Sequence, residues 1–186
     1  MKRLIDIAVS FAALVVLTPL LALLALAVRI DSAGPALYWS QRYGQSGQLF
    51  WMPKFRTMRV GAPQVPTEQL QNPVELLTRL GPILRRTSLD ELPQLWSVLV
   101  GDMSLVGPRP ALFNQGDLIE MRGENGSSML LPGITGWAQI NGRDALTLED
   151  KVALDGEYST RQSLLFDCQI MALTVARVVG AQNVKH

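Results

Sequence analysis

Between residues 7 and 28 the chain is apolar except for Ser10, Thr18 and Pro19. A helix over this run, rising ~1.5 Å per residue, reaches roughly 33 Å, the thickness of a bilayer hydrocarbon core. A cleaved leader fits poorly. The apolar region is too long, and Arg29-Ile30-Asp31 is not a small-residue cleavage site. Two features complicate a simple crossing. Pro19 removes a backbone hydrogen bond in mid-run and predicts a kink. Basic residues flank both ends (Lys2 and Arg3 before, Arg29 and Arg42 after), so the positive-inside bias assigns no orientation. A single span satisfies the sequence. So does a helix that bends at Thr18-Pro19 and returns to its own face, with the Thr18 hydroxyl serving backbone groups freed by the kink.

The remaining residues suffice for one domain with a modest core. The boundaries read as 1–30 for the membrane helix and 31–186 for the globular part. A net charge of +1 gives no global field for nucleic acid, which is excluded as a partner. The positive charge is instead local, at Lys54-Arg56-Arg59 and at Arg79-Arg85-Arg86. One cysteine, Cys168, excludes an internal disulfide and a cysteine-rich zinc site. The apolar stretches around it, Leu164-Leu165-Phe166 and Ile170-Met171-Ala172, predict a buried, inert thiol. The one histidine, His186, is the last residue, which argues against a Ser-His-Asp triad. No Walker A or GxGxxG loop is present.

Turn chemistry and periodicity divide the rest. Residues 36–42 and 48–52 flank Gly44-Gln45-Ser46-Gly47 and read as a β-hairpin. Its Trp39, Phe50 and Trp51 suit either the headgroup level or packing within the hairpin. Residues 61–73 are a proline-rich loop. Residues 74–84 are helical in pattern, interrupted at Gly81-Pro82. Residues 92–100 read as a short buried helix ended by Gly101, and 114–122 as another helix. Residues 131–137 are irregular and glycine-rich. Residues 146–158 and 164–179 are helix-like, and the last is apolar around much of its circumference. It suits either a membrane surface or the core. The fold class expected is α+β, mostly helical, with a β-hairpin and interfacial helices.

The chemistry concentrates in Thr87-Ser88-Leu89-Asp90-Glu91-Leu92-Pro93 and in Gly107-Pro108-Arg109-Pro110. Ser88 with Glu91 forms a Ser-x-x-Glu capping box; capping by Asp90 instead would place Pro93 in the first turn. Either start sets the two carboxylates at the positive end of a helix dipole. That lowers their pKa and suits attack on phosphorus or Mg²⁺ binding. Plain helix capping explains the same pair. Arg109, held between two prolines, is a fixed guanidinium suited to bidentate phosphate binding. Lys54, Arg56, Arg85 and Arg143 are further cations near turns.

These strings resemble the bacterial sugar transferases, also called monotopic phosphoglycosyl transferases. The matching residues are Lys54-Phe55-Arg56-Thr57-Met58, the runs 87–95 and 101–110, Pro132-Gly133-Ile134-Thr135-Gly136-Trp137 continuing through Arg143, and Asp155 with Tyr158. The resemblance is to the compact form, without extra transmembrane helices. It implies transfer of a sugar 1-phosphate from a UDP-sugar to polyprenyl (undecaprenyl) phosphate with release of UMP. Such a step starts O-antigen, capsule or exopolysaccharide assembly. It also implies a re-entrant helix kinked at Thr18-Pro19, in the inner membrane, with the catalytic domain on the cytoplasmic face. Asp90 would be the nucleophile that carries the phosphosugar. Glu91 would assist through the metal or by taking a proton. Mg²⁺ would sit on Asp90 and Glu91. Lys54, Arg56, Arg85, Arg109, Arg143 and Asp155 would line the substrate site. Membrane lipids, a second copy of the chain and downstream glycosyltransferases are the further partners expected. Leu131, Asp144, Leu148, Ser159 and Arg161 depart from the family's usual residues and bear on sugar preference and lipid docking. A membrane-bound Mg²⁺-dependent phosphohydrolase and a non-catalytic scaffold are the competing readings.

Overall fold

The computed structural model describes residues 1–65, 72–142 and 145–179. It opens with α1, Lys2–Asp31, one helix of 30 residues that contains Pro19. The Thr18 hydroxyl donates to the Leu14 carbonyl at 2.7 Å, beside the bond that Pro19 cannot make. A stripe at helical spacing faces the rest of the chain. Asp6, Ser10 and Val28 on it are fully buried. Leu4, Phe11, Val15, Val16, Leu23 and Leu26 lie on the exposed side.

Both ends of α1 are anchored to the same globular body. At the start, Lys2 Nζ donates to Asp167 (2.6 Å) and to the Val106 carbonyl (3.1 Å). Arg3 caps the carbonyls of Val98 and Leu99, and Asp6 accepts from the Ser104 hydroxyl and the Leu105 amide. At the far end Val28 packs with Phe55 and Leu84, and Asp31 accepts from the Leu80 amide.

The hairpin is longer than its turn residues suggest. Strands β1 (Leu37–Tyr43) and β2 (Leu49–Phe55) pair antiparallel, Leu37 opposite Phe55 and Tyr43 opposite Leu49. This carries the pairing through Lys54. Trp39 and Trp51 are exposed rather than packed within the hairpin, while Phe50 packs with Met52, Val98 and Met103.

The predicted helix over 74–84 is two short pieces, α2 (Pro73–Leu76) and α3 (Gly81–Thr87), because Gly81-Pro82 starts a helix rather than continuing one. Next come α4 (Gln94–Val100), ended by Gly101 at φ 113°, and β3 (Ser104–Val106). Helix α5 is Gly116–Glu124, and β4 is Gly133–Thr135. The chain then forms α6 (Trp137–Asn141), α7 (Leu148–Arg161) and α8 (Leu164–Val179).

The segment expected to be irregular instead supplies β4, which pairs parallel with β3. Its glycines explain why. A Cβ at Gly133 or Gly136 would overlap the Gly107 backbone, so only glycine lets the two strands meet this closely. Over this sheet pack Val106, Ile140, Tyr158, Phe166 and Ile170. Cys168 corrects another expectation, for it is exposed. Helix α8 turns Phe166, Asp167 and Ile170 inward, which leaves Cys168, about 100° further round from Asp167, on the open side.

Candidate active site

Helix α3 stops at Ser88, whose φ of 56° is unusual for a residue with a Cβ. The reversal starts a 3₁₀ turn, Leu89–Glu91, and α4 begins only after Pro93. Neither predicted cap forms. Ser88 makes no side-chain capping bond, Pro93 rather than Asp90 stands at the start of α4, and Glu91 meets Lys54 and Arg109 instead. The turn drives Asp90 and Glu91 inward together, each 8% exposed.

The two carboxylates have different surroundings. One oxygen of Glu91 accepts from Lys54 Nζ at 3.2 Å and from Arg109 Nη2 at 2.8 Å. Among the described residues no hydrogen-bond donor reaches Asp90. Burial pushes the Asp90 carboxyl above its ordinary range. Lys54 pulls it back, Glu91 adds to the rise, and Arg85 and Arg109 oppose it. The dipole-lowered value expected from a helix start is therefore reversed: a single 3₁₀ turn carries little dipole, and desolvation dominates. Burial also lowers Lys54 to about 8 and Arg42 to about 10.

The dyad lines a cavity of about 1100 Å³. Among the described residues, eight basic side chains and three carboxylates border it, so its field favours an anion of several charges. Lys54 enters from β2. Arg85, from the last turn of α3, donates to the Thr57 hydroxyl at 2.9 Å. Arg109 comes from the loop after β3. Asp155 stands on α7, paired with Arg122 of α5 at 2.6 Å. Burial raises the Asp155 carboxyl, and Arg122 counters that.

Arg56 departs from the expected role. It borders the cavity, but its guanidinium donates to the carbonyls of Ser32, Ala33 and Pro35 at 2.7, 3.1 and 2.7 Å. Those bonds satisfy the backbone where α1 hands over to β1, and they hold the guanidinium there. Arg143 lies outside the described residues. Arg42, Arg122 and Lys151 border the cavity without having been singled out. Arg42 had a legible signal, since it shares the inward face of β1 with Ser40 at a spacing of two. Arg122 had none, because only the pairing of α5 with α7 buries it.

No cluster of three or more His, Cys, Asp or Glu side chains forms among the described residues. Mg²⁺ commonly takes one or two carboxylates and completes its shell with water and substrate phosphates. Asp90, with no donor on it, fits that mode. Glu91, already held by two cations, fits it less well.

The family model described as bacterial sugar transferase matches residues 1–181. The chain is 40% identical over 98% of its length to an undecaprenyl-phosphate glucose phosphotransferase of Komagataeibacter xylinus, and spans 36% of that protein. It is 43% identical over 94% of its length to the UDP-glucose:undecaprenyl-phosphate glucose-1-phosphate transferase of Escherichia coli, spanning 39% of it. A Caulobacter vibrioides protein of the same name is 37% identical, with 98% of this chain and 71% of that protein covered. The chain thus spans under half the length of the first two and most of the third. With the dyad, the basic cavity and the membrane-type helix on one body, the chain belongs to the bacterial sugar transferase family.

Proposed function

We propose that this chain transfers a sugar 1-phosphate from a UDP-sugar to undecaprenyl phosphate through a covalent intermediate on Asp90. One observation carries the reading. Asp90 is a buried carboxylate without a hydrogen-bond donor among the described residues, on the wall of a cavity bordered by eight cations. Burial makes such a group more basic than an ordinary aspartate, and the cations around it attract a diphosphate. The names of the relatives make UDP-glucose the first donor to test.

In the first step an Asp90 oxygen bonds the β-phosphorus. The bridging P–O bond breaks, and UMP leaves with its electron pair. In the second, a phosphate oxygen of the lipid bonds the same phosphorus. The acyl phosphate bond breaks and the Asp90 carboxylate returns. Arg109 and Lys54 offset the charge of the diphosphate, while Glu91 holds both cations toward it. Arg85 restrains the phosphate on the α3 side. Asp90 would hold Mg²⁺, which when bound would supply charge neutralisation for the diphosphate.

The anchoring of α1 supports a reading of the membrane arrangement. A crossing helix puts its ends on opposite sides of a hydrocarbon core ~30 Å thick, yet Lys2 and Asp31 both bond the globular body. The proposed topology is therefore re-entrant, bent at Thr18-Pro19, with the cavity on the cytoplasmic face where UDP-sugars occur. The exposed apolar side of α1, with Trp39, Trp51 and Trp96, meets lipid.

The test is incubation with UDP-glucose alone, then mass spectrometry of the peptide holding Asp90. A hexose-phosphate adduct on Asp90, UMP release and loss of both in Asp90→Asn are expected. Normal turnover without an adduct would overturn the covalent step. Glucose 1-phosphate released regardless of lipid would mark a hydrolase.

A further inference from the structure

The loop that presents Arg109 has an unusual hydrogen-bonding problem. Pro108 and Pro110 have no N–H, so around Arg109 the carbonyls are the main handles by which the fold can hold the backbone. Each successive carbonyl is taken. The Gly133 amide donates to Pro108 O at 2.8 Å, and Arg122 Nη1 donates to Arg109 O at 2.9 Å. Arg42 Nη1 donates to Pro110 O at 3.1 Å, and the Tyr43 amide to Ala111 O at 2.9 Å.

Arg122 is the contact at Arg109 itself, and it is not free to choose its direction. Its Nε and Nη2 donate to Asp155 Oδ2 at 2.9 and 2.6 Å. The two side chains are 7% and 2% exposed, with Asp155 projecting from α7 and Arg122 from α5. One carboxylate oxygen takes the Nε–Nη2 edge of the guanidinium, and Nη1 donates to the Arg109 carbonyl. The Arg109 side chain in turn donates through Nη2 to Glu91 at 2.8 Å.

We infer that Asp155 and Arg122 are positioning residues: together they fix the Arg109 backbone so that its guanidinium meets the diphosphate, and Asp155 does not itself contact substrate. This rests on the reading of the cavity as a nucleoside-diphosphate site and goes beyond it in assigning the pair. A buried ion pair that only braced α5 against α7 would affect folding, and its loss would weaken ligand binding by the same factor whatever stood at position 109.

A double-mutant cycle on UDP affinity separates the two. The full chain in nanodiscs is titrated with UDP as wild type, Asp155→Asn, Arg109→Gln and the double variant. Contacting groups couple by a few-fold to a hundred-fold. The expectation is therefore about tenfold weaker binding in Asp155→Asn, and less than about twofold further loss when Arg109 is already Gln. Independent, multiplying effects would overturn the inference. If Asp155→Asn does not fold, Arg122→Lys replaces it in the cycle; it keeps the charge for Asp155 but lacks the planar fork that also reaches the carbonyl. A wild type that does not bind UDP would overturn the underlying reading and the inference with it. Binding with additive losses would overturn the inference alone.

Discussion

Lys54 sets an alkaline limit on this site. Burial lowers its ammonium from 10.5 to about 8; Glu91 pulls the value back up, while Arg109 and Arg42 push it down. That fall, at ~1.4 kcal/mol per pH unit, corresponds to about 3 kcal/mol. The sign for stability follows from proton counting. Below pH 8 both folded and unfolded chains carry the charge, and the folded state bears the cost of its burial. Between about 8 and 10.5 the unfolded chain keeps the proton and the folded chain has released it. Stability therefore rises with pH across that window, by up to about 3 kcal/mol. Activity runs the opposite way. A neutral amine neither offsets phosphate charge nor holds Glu91, so turnover falls by about tenfold per unit above the Lys54 value. The assay is UMP release from UDP-glucose between about pH 6 and pH 10, with urea unfolding over the same range. Lys54→Arg supplies the control, because a guanidinium stays charged throughout. Its profile, however low the turnover, should lose the limb near pH 8 and its stability should lose the rise. An unchanged limb in Lys54→Arg would refute the assignment.

Two further perturbations probe the frame around the site. Asp167 accepts from Lys2 of α1 and from the Tyr158 hydroxyl at 2.7 Å, so Asp167→Asn should cost about 2–3 kcal/mol in urea unfolding. It should also increase proteolysis in the first turns of α1 as the helix start comes loose; unchanged stability would show the anchor is idle. Gly136→Ala would drive a methyl group into the Gly107 carbonyl and displace the Arg109 loop. Loss of folding, or at least about a hundredfold loss of UMP release, is the expected result on assay, corresponding to about 3 kcal/mol; wild-type turnover would contradict the packing argument.

Local signals carried much of the fold. The bounds 164–179 for α8, the stop at Gly101 and the turn at Gly44-Gln45-Ser46-Gly47 all depend on residues within a few positions of the event. So does the break at Gly81-Pro82. Where several elements meet, local pattern misled. The capping box at Ser88 is a sound motif, yet Glu91 found two cations from β2 and the Arg109 loop and turned to them instead. Cys168 lies in an apolar helix between Asp167 and Gln169 and has an exposed place on α8, because helical rotation and not the composition of the segment decides burial. The β3–β4 pairing was hidden by three glycines that look like disorder when read singly and like close packing when placed face to face.

By itself the sequence determined the apolar helix with its proline, the hairpin, and the short strings that identify the family. These are properties of residue type and spacing, and they hold before any long-range contact forms. Tertiary structure alone decided that two cations hold Glu91, that Arg56 serves the backbone, and that Asp155 bonds Arg122. Those outcomes depend on which donors reach which acceptors across α5, α7, β2 and the Arg109 loop. A charged side chain's role is set by the partners that folding brings within about 3 Å and by the water it excludes, and no single segment encodes either.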